Sequence, residues 1–134
     1  MVFNFFRSLA FDAYRRLETR QHQLLYLFLE ITRRCNLSCL HCGSDCGRES
    51  SDRELTTDSW IKIIDDIRRS FGPGVILVLT GGEPLMHPEF GRITGHIHSL
   101  GMRWGMVTNG QLLTPSRFAS LTEDNIESIT VSLD

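Results

Sequence analysis

Three of the four cysteines of this 134-residue chain lie within a single eight-residue segment, Cys35-Asn36-Leu37-Ser38-Cys39-Leu40-His41-Cys42. Three thiolates from one loop can surround one metal centre, whereas a disulfide uses two thiols and would leave one over. The spacing C-x3-C-x2-C differs from the paired C-x2-C knuckles of zinc sites and from the ferredoxin run with its fourth cysteine and proline. The spacing favours an iron-sulfur centre. A zinc site completed by His41 or Cys46 stays open as an alternative.

Three further segments place polar residues directly after apolar runs. These segments are Thr80-Gly81-Gly82-Glu83-Pro84, Thr108-Asn109-Gly110, and the final stretch with Ser132 and Asp134. Glycines allow the backbone to approach a ligand closely, and a carboxylate or carbonyl accepts hydrogen bonds from an ammonium group. Each tetrapeptide or tripeptide alone is also compatible with an ordinary turn. Their common position after apolar runs predicts that they meet at one site.

The elements that position these segments follow from the apolar pattern. Leu24–Ile31 is apolar on both faces, as in a central parallel strand, and further strands are predicted at 75–79, 102–107 and 129–134. Trp60, Ile64, Ile67 and Phe71 recur at helical spacing after an N-cap at Thr56 or Thr57. Later helices are predicted from Pro88 to Leu100 and from Thr114 to Leu121. Alternating strands and helices predict an α/β fold with a parallel sheet whose carboxyl ends carry the site.

The first residues are predicted to form an amphipathic helix that packs on the domain. Its apolar residues fall at helical spacing and are Phe3, Phe6, Ala10, Ala13, Tyr14 and Leu17. A secretory signal would have a longer apolar core and a small-residue cleavage site. We therefore divide the chain into an N-terminal helical extension, residues 1–22, and a core domain, residues 23–134.

Composition limits the functional classes. The net charge of −2 gives no basic footprint for nucleic acid, and no apolar run is long enough to span a bilayer. Clustered cysteines in a sequence without a signal peptide are typical of a reducing compartment, where thiols bind metals. We expect a soluble, cytoplasmic protein.

The cysteine spacing and the Gly-Gly-Glu-Pro stretch one βα unit later together resemble the radical S-adenosylmethionine (SAM) superfamily. The resemblance covers roughly residues 24–134 and implies a partial parallel (β/α) barrel of which four strands are present. It implies that Cys35, Cys39 and Cys42 bind a [4Fe-4S] cluster and leave the fourth iron to the amino and carboxylate groups of SAM. Cys46 must then stay off the cluster, since a fourth thiolate would block SAM.

The same resemblance implies how SAM is held. The Gly81, Gly82, Glu83 and Pro84 stretch meets the methionyl amino group, and Asn109 lies near SAM. Ser132 resembles the position that contacts the ribose, although a core-facing strand residue is an alternative. His41 stands where the family commonly has an aromatic residue beside the adenine, and a planar imidazole suits that place.

The implied activity is reductive cleavage of SAM to a 5′-deoxyadenosyl radical that takes a hydrogen atom from a substrate. The resemblance is to the branch that modifies peptides, proteins and haem precursors, often with a C-terminal domain that carries further iron-sulfur clusters (the SPASM type). It implies an electron donor such as flavodoxin or ferredoxin and a peptide, protein or small-molecule substrate. We expect the 134-residue chain to be part of an enzyme, aggregation-prone and nearly inactive alone. The competing hypothesis is a zinc-stabilised binding module.

Overall fold

The computed structural model describes residues 10–17, 24–44, 46–47 and 54–133. Its elements, in chain order, are helix α1 (residues 10–17), strand β1 (Tyr26–Thr32), helix α2 (Thr57–Phe71), strand β2 (Ile76–Gly81), a short 3-10 turn (Pro84–Met86), helix α3 (Phe90–Ser99), strand β3 (Arg103–Thr108), helix α4 (Pro115–Glu123) and strand β4 (Ser128–Val131). The predicted helices and strands are confirmed, with ends that move by a few residues.

The four strands form one open parallel sheet in the order β1-β2-β3-β4. Leu29 of β1 pairs with Leu79 of β2, which pairs with Met106 of β3. Parallel neighbours need a crossover, and α2, α3 and α4 supply the three crossovers in turn. The predicted α/β class and parallel sheet are thus confirmed, and the carboxyl ends of all four strands lie at one edge.

The crossover helices are specified at their ends by local chemistry. The Thr56 side chain accepts a hydrogen bond from the Ser59 amide at the start of α2, and Thr114 does the same for Arg117 at the start of α4. Gly72 ends α2 with φ of +77°, a conformation that suits glycine. These caps fix where α2 begins and ends and where α4 begins.

The core lies between the sheet and the helices. Leu77 and Leu79 of β2 and Trp104 and Met106 of β3 are essentially fully buried there. Helical residues meet them from the other side, and these are Trp60, Ile64, Ile67, Phe90, Ile93 and Ile97. The indole N–H of Trp104 donates to the Asp124 carbonyl at 2.8 Å, which satisfies the one polar atom of that buried ring.

The opposite face of the sheet is open in the described part of the chain. Tyr26 and Phe28 are 59% and 62% exposed, while Leu29 and Ile31, on the other face of the same strand, are buried. β1 is also an edge strand and not the central strand that its apolar run predicts. The apolar residues on the outer face of β1 therefore lie on a surface that the described elements leave uncovered.

The prediction that the N-terminal helix packs on the domain is wrong for the residues described. Residues 10–17 are helical, but Phe11, Tyr14 and Leu17 are 60%, 56% and 59% exposed. The helical face of the sheet is already covered by α2 and α3, so it offers this stripe no site. Phe3 and Phe6 lie outside the described residues. In the described ranges, no helix combines the length and apolar character that a membrane span requires.

Candidate metal and cofactor site

The predicted site segments meet in one cavity of about 240 Å³ at the carboxyl ends of the strands. Its lining includes the residues predicted as ligands or cofactor contacts, namely Cys35, Cys39, Cys42, His41, Gly81, Gly82, Asn109 and Ser132. It also includes residues not predicted as contacts, namely Leu37, Gly43, Ser44, Cys46, Thr80, Val107 and Thr108. Glu83 and Pro84 do not line the cavity.

The cysteine loop is closed at its base by backbone hydrogen bonds. The Cys35 amide donates to the Gly47 carbonyl at 2.7 Å, and the Gly47 amide donates to the Arg33 carbonyl at 3.1 Å. Within the loop, the Cys42 amide donates to the Cys39 carbonyl at 3.2 Å, which forms a turn. Exposure rises along the loop from buried Cys35 to exposed Cys42. The thiols therefore range from the cavity floor to its mouth.

The cavity offers the thiol donors that an iron-sulfur cluster requires. Among the described residues, no three Cys, His, Asp or Glu side chains gather tightly enough to hold one ion. A zinc ion would need its sulfur ligands at about 2.3 Å from one point. Cys35, Cys39 and Cys42 line one cavity, and three thiolates fit an iron-sulfur cluster, which takes one thiolate at each of several irons.

Gly81 and Gly82 are required by how closely the end of β2 approaches the chain leaving β1. A Cβ on Gly81 would lie 2.2 Å from the Thr32 carbonyl oxygen, and one on Gly82 would lie 2.4 Å from the Arg34 carbonyl oxygen and 2.9 Å from Cys35 Cβ. Gly81 also has φ of +143°, which side chains disfavour. The missing side chains let β2 press against the stem of the cysteine loop, while the glycine backbone still faces the cavity.

The Glu83 side chain is fully buried and ties the end of β2 to the end of β3. Its carboxylate accepts from the Thr108 hydroxyl at 2.8 and 2.9 Å, from the Asn109 amide at 2.8 Å and from the Leu85 amide at 3.1 Å. All these donors belong to the protein. The predicted contact of Glu83 with SAM stays a prediction, and the role visible here is to hold two strand ends in register.

Asn109 connects the end of β3 with the cysteine loop. Its side-chain amide donates to Asn36 Oδ1 at 2.8 Å and lies 4.0 Å from Cys35 Sγ. Asn36 in turn donates to Gln111 Oε1 at 3.0 Å. The Leu37 backbone amide lies 3.4 Å from the same Cys35 sulfur. Two N–H groups therefore point toward one predicted cluster ligand.

The remaining predicted contacts are placed as follows. His41 is exposed and lines the cavity, and its predicted place beside the adenine stays a prediction. Ser132 follows β4, is exposed, and its amide donates to the Thr108 carbonyl at 2.9 Å. It lines the cavity, and the predicted contact with the ribose stays a prediction beside the alternative of a core-facing strand residue. Pro84 is buried at the first position of the 3-10 turn.

Cys46 lines the same cavity as the three predicted ligands. Burial, followed by the neighbouring Cys42, raises the pKa of its thiol to about 11, and its sulfur lies 3.7 Å from the Ser44 carbonyl oxygen. The proximity of Cys46 was not evident from the sequence beyond its place in the cysteine-rich stretch.

Glu54 is a structural residue that sequence patterns did not single out. Its carboxylate accepts from the Thr32 hydroxyl at 2.9 Å and from the Arg33 amide at 2.7 Å, at the point where β1 leads into the cysteine loop. The pairing of Thr108 with Glu83 was also not predicted, although Thr108 belongs to a predicted site segment. Both act through contacts between distant parts of the chain, and no spacing rule reveals such pairs.

A parallel α/β sheet with a cysteine-lined cavity at the carboxyl ends of its strands defines a cofactor-binding protein of the barrel type. The model of the Radical SAM superfamily matches residues 29–134, and the chain belongs to this superfamily. The family uses a [4Fe-4S] cluster and SAM. The predicted family is confirmed, and the zinc-module alternative finds no support.

Two relatives illustrate the range of similar proteins. An AdoMet-dependent heme synthase of Methanosarcina barkeri is 37% identical over 105 residues, which is 78% of this chain and 30% of the relative. A PqqA peptide cyclase of Bradyrhizobium diazoefficiens is 31% identical over 109 residues, which is 81% of this chain and 28% of the relative. The chain spans between 26% and 32% of the length of the curated relatives it matches.

Solved structures confirm the fold. BtrN in complex with AdoMet and 2-DOIA superposes with a TM-score of 0.68 at 21% identity, over 81% of this chain and 45% of BtrN. Streptococcus suis SuiB bound to precursor peptide SuiA superposes with a TM-score of 0.61 at 20% identity, over 92% of this chain and 28% of SuiB. The predicted partial barrel is thus confirmed at the level of fold.

Proposed function

We propose that this chain forms the cluster-binding and SAM-binding part of a radical SAM enzyme. The observation that carries the proposal is the convergence of Cys35, Cys39, Cys42 and the Gly81-Gly82 backbone on one cavity. When bound, the cluster and SAM together supply a 5′-deoxyadenosyl radical that takes a hydrogen atom from the substrate. The chain's residues contribute ligation, orientation and exclusion of water.

Each cavity residue has a proposed part. Cys35, Cys39 and Cys42 hold the cluster as thiolates, and Cys46 stays off the cluster because a fourth thiolate on the open iron would block SAM. His41, at the exposed end of the loop, lies beside the adenine. The open iron position then remains for the cofactor.

The other cavity wall orients SAM. The Gly81-Gly82 backbone bounds the methionyl end, Ser132 lies at the ribose, and Asn109 spans from the β3 end toward the cysteine loop. Glu83 and Pro84 act from behind this wall, since their buried side chains fix the turn after β2.

The substrate class follows from the relatives, whose names refer to heme synthesis and to a peptide. We propose a peptide, protein or tetrapyrrole substrate that approaches along the open sheet face of Tyr26 and Phe28. A low-potential donor such as flavodoxin or ferredoxin supplies the electron. A reducing, cytoplasmic setting suits clustered cysteines that bind a metal.

Metal analysis tests the proposal in one measurement. The chain is reconstituted anaerobically with iron and sulfide, in parallel with a Cys39→Ala variant and with a sample offered zinc in equal amount. We expect a brown protein with about four irons and four sulfides per chain, and loss of that content in Cys39→Ala. A colourless protein with one bound zinc after this treatment would falsify the proposal and restore the zinc module.

A further inference from the structure

Three side-chain amides form a continuous bridge between the cysteine loop and the end of β3. We call Asn36, Asn109 and Gln111 the amide bridge. Gln111 Oε1 accepts from Asn36 Nδ2 at 3.0 Å, Asn36 Oδ1 accepts from Asn109 Nδ2 at 2.8 Å, and Asn109 Oδ1 accepts from the Gln111 backbone amide at 3.0 Å. The bridge joins positions more than seventy residues apart in the chain.

The bridge fixes which way the Asn109 amide faces. Its oxygen is held by the Gln111 amide, and its nitrogen is held by Asn36 Oδ1, so a flipped amide would set donor against donor and acceptor against acceptor. In this orientation Asn109 Nδ2 also lies 4.0 Å from Cys35 Sγ. The second donor to this sulfur is the Leu37 backbone amide at 3.4 Å.

We propose that the amide bridge is a positioning device that keeps the Asn109 N–H on the Cys35 sulfur and thereby raises the reduction potential of the bound cluster. The proposal rests on the proposed function, since it concerns a cluster ligand. N–H donors to a ligating sulfur favour the more negative, reduced state of the cluster. Cys35 is the most buried of the three ligands, and a donor has its largest electrostatic effect where water does not compete.

The reduction potential of the bound cluster distinguishes this positioning role from simple stabilisation of the loop. The contacts between Asn36 and Gln111 are exposed, and exposed neutral hydrogen bonds contribute little to folding. A purely structural bridge would change cluster content or unfolding without moving the potential of the clusters that do form. A positioning bridge moves the potential of a fully loaded protein.

The experiment compares midpoint potentials in an anaerobic redox titration followed by electron paramagnetic resonance, on the full chain reconstituted with iron and sulfide. The variants are Asn109→Leu, which removes the donor, and Asn36→Ala, which releases it. Ser38→Ala is the matched control, because this exposed loop residue has no side-chain hydrogen bond to another described residue. Iron is measured in each sample, so that only loaded protein is compared.

We expect Asn109→Leu to lower the ratio of reduced to oxidised cluster roughly tenfold at fixed potential, as for loss of one charge-assisted hydrogen bond. This corresponds to a negative shift of about 59 mV for one electron. Asn36→Ala should shift in the same direction by a smaller amount, and Ser38→Ala should match the wild type.

Unchanged potentials in fully loaded Asn109→Leu and Asn36→Ala would overturn the inference while leaving the proposed function intact. If Asn109→Leu does not bind iron, the potential of Asn36→Ala decides the question. If neither variant binds iron, the potential of Gln111→Leu decides it, because the Gln111 side chain is one hydrogen bond further from the sulfur. A wild-type chain that binds no iron overturns both proposals. A shift in Ser38→Ala equal to that in the bridge variants would also overturn the inference.

Discussion

Replacing Glu83 by glutamine changes one oxygen to an amide nitrogen at the centre of the contact between β2 and β3. The carboxylate now accepts from the Leu85 amide through Oε1, from the Asn109 amide through Oε2 and from the Thr108 hydroxyl through both oxygens. A glutamine has one acceptor oxygen. Whichever way it is turned, its NH2 group faces a backbone N–H that has lost its acceptor.

The expected cost follows from these contacts. A hydrogen bond to a charged group contributes roughly 1.5–3 kcal/mol, and a buried donor left without a partner costs roughly 1–3 kcal/mol. The two figures overlap, and removal of a buried charge offsets part of the loss. We expect Glu83→Gln to lower the free energy of unfolding by about 2–4 kcal/mol. That is a large share of the roughly 5–15 kcal/mol typical of a domain.

The assay is urea unfolding followed by circular dichroism, with Glu123→Gln as the control. Glu123 ends α4, is exposed and has no side-chain hydrogen bond to another described residue, so its change should stay within about 0.5 kcal/mol. A double-mutant cycle with Thr108→Val should give a coupling of at least roughly 1 kcal/mol. An unchanged unfolding energy for Glu83→Gln together with loss of SAM binding would refute the positioning role and establish direct contact instead.

Three further predictions use the same chain. Gly82→Ala should destabilise the protein by roughly 1–3 kcal/mol and lower its iron content, because the new Cβ meets fixed backbone. Gly91→Ala in α3, where open space surrounds the glycine, should stabilise the protein by about 0.5–1 kcal/mol. Urea unfolding measures both changes. Burial lowers the pKa of His87 below its usual 6.5, so the unfolded state takes up the proton first. The free energy of unfolding should therefore fall as pH drops below about 6.5, and His87→Asn should lose that part of the pH dependence. Cys46→Ala should keep full iron content while Cys39→Ala loses it, and equal losses in a colorimetric iron assay would contradict three-cysteine ligation.

Local chemistry made most of the fold predictable. The Thr56 cap, the apolar stripe after it and the glycines that end helices act within a few residues, and each appears in the structure near its predicted place. The prediction that β1 is a central strand was wrong because an apolar run indicates only that both faces of the strand avoid water in the folded protein. It cannot say whether the second face is covered by the described elements, and that face carries exposed Tyr26 and Phe28.

The site was predictable where spacing carries the information. The three cysteines and the Gly81-Gly82 pair lie on the cavity as expected, since parallel strand ends must meet at one edge. The role of Glu83 was not predictable, because its partners come from the end of another strand. A tetrapeptide cannot reveal which donors a carboxylate meets, and here the Thr108 hydroxyl is one of them.

The order of strands in the sheet also sets an order of assembly. In the described sheet, each strand pairs only with its neighbours in sequence, so every new βα unit emerging from the ribosome docks on an edge that already exists. β1 and β2 can pair first and press Gly82 against the stem of the cysteine loop. The Glu83 carboxylate, however, stays without its Thr108 and Asn109 donors until β3 has been added. The cavity therefore gains Thr108 and Asn109 with the third strand and Ser132 only with the fourth, and an early nascent chain would display its cysteines without the wall that later encloses them.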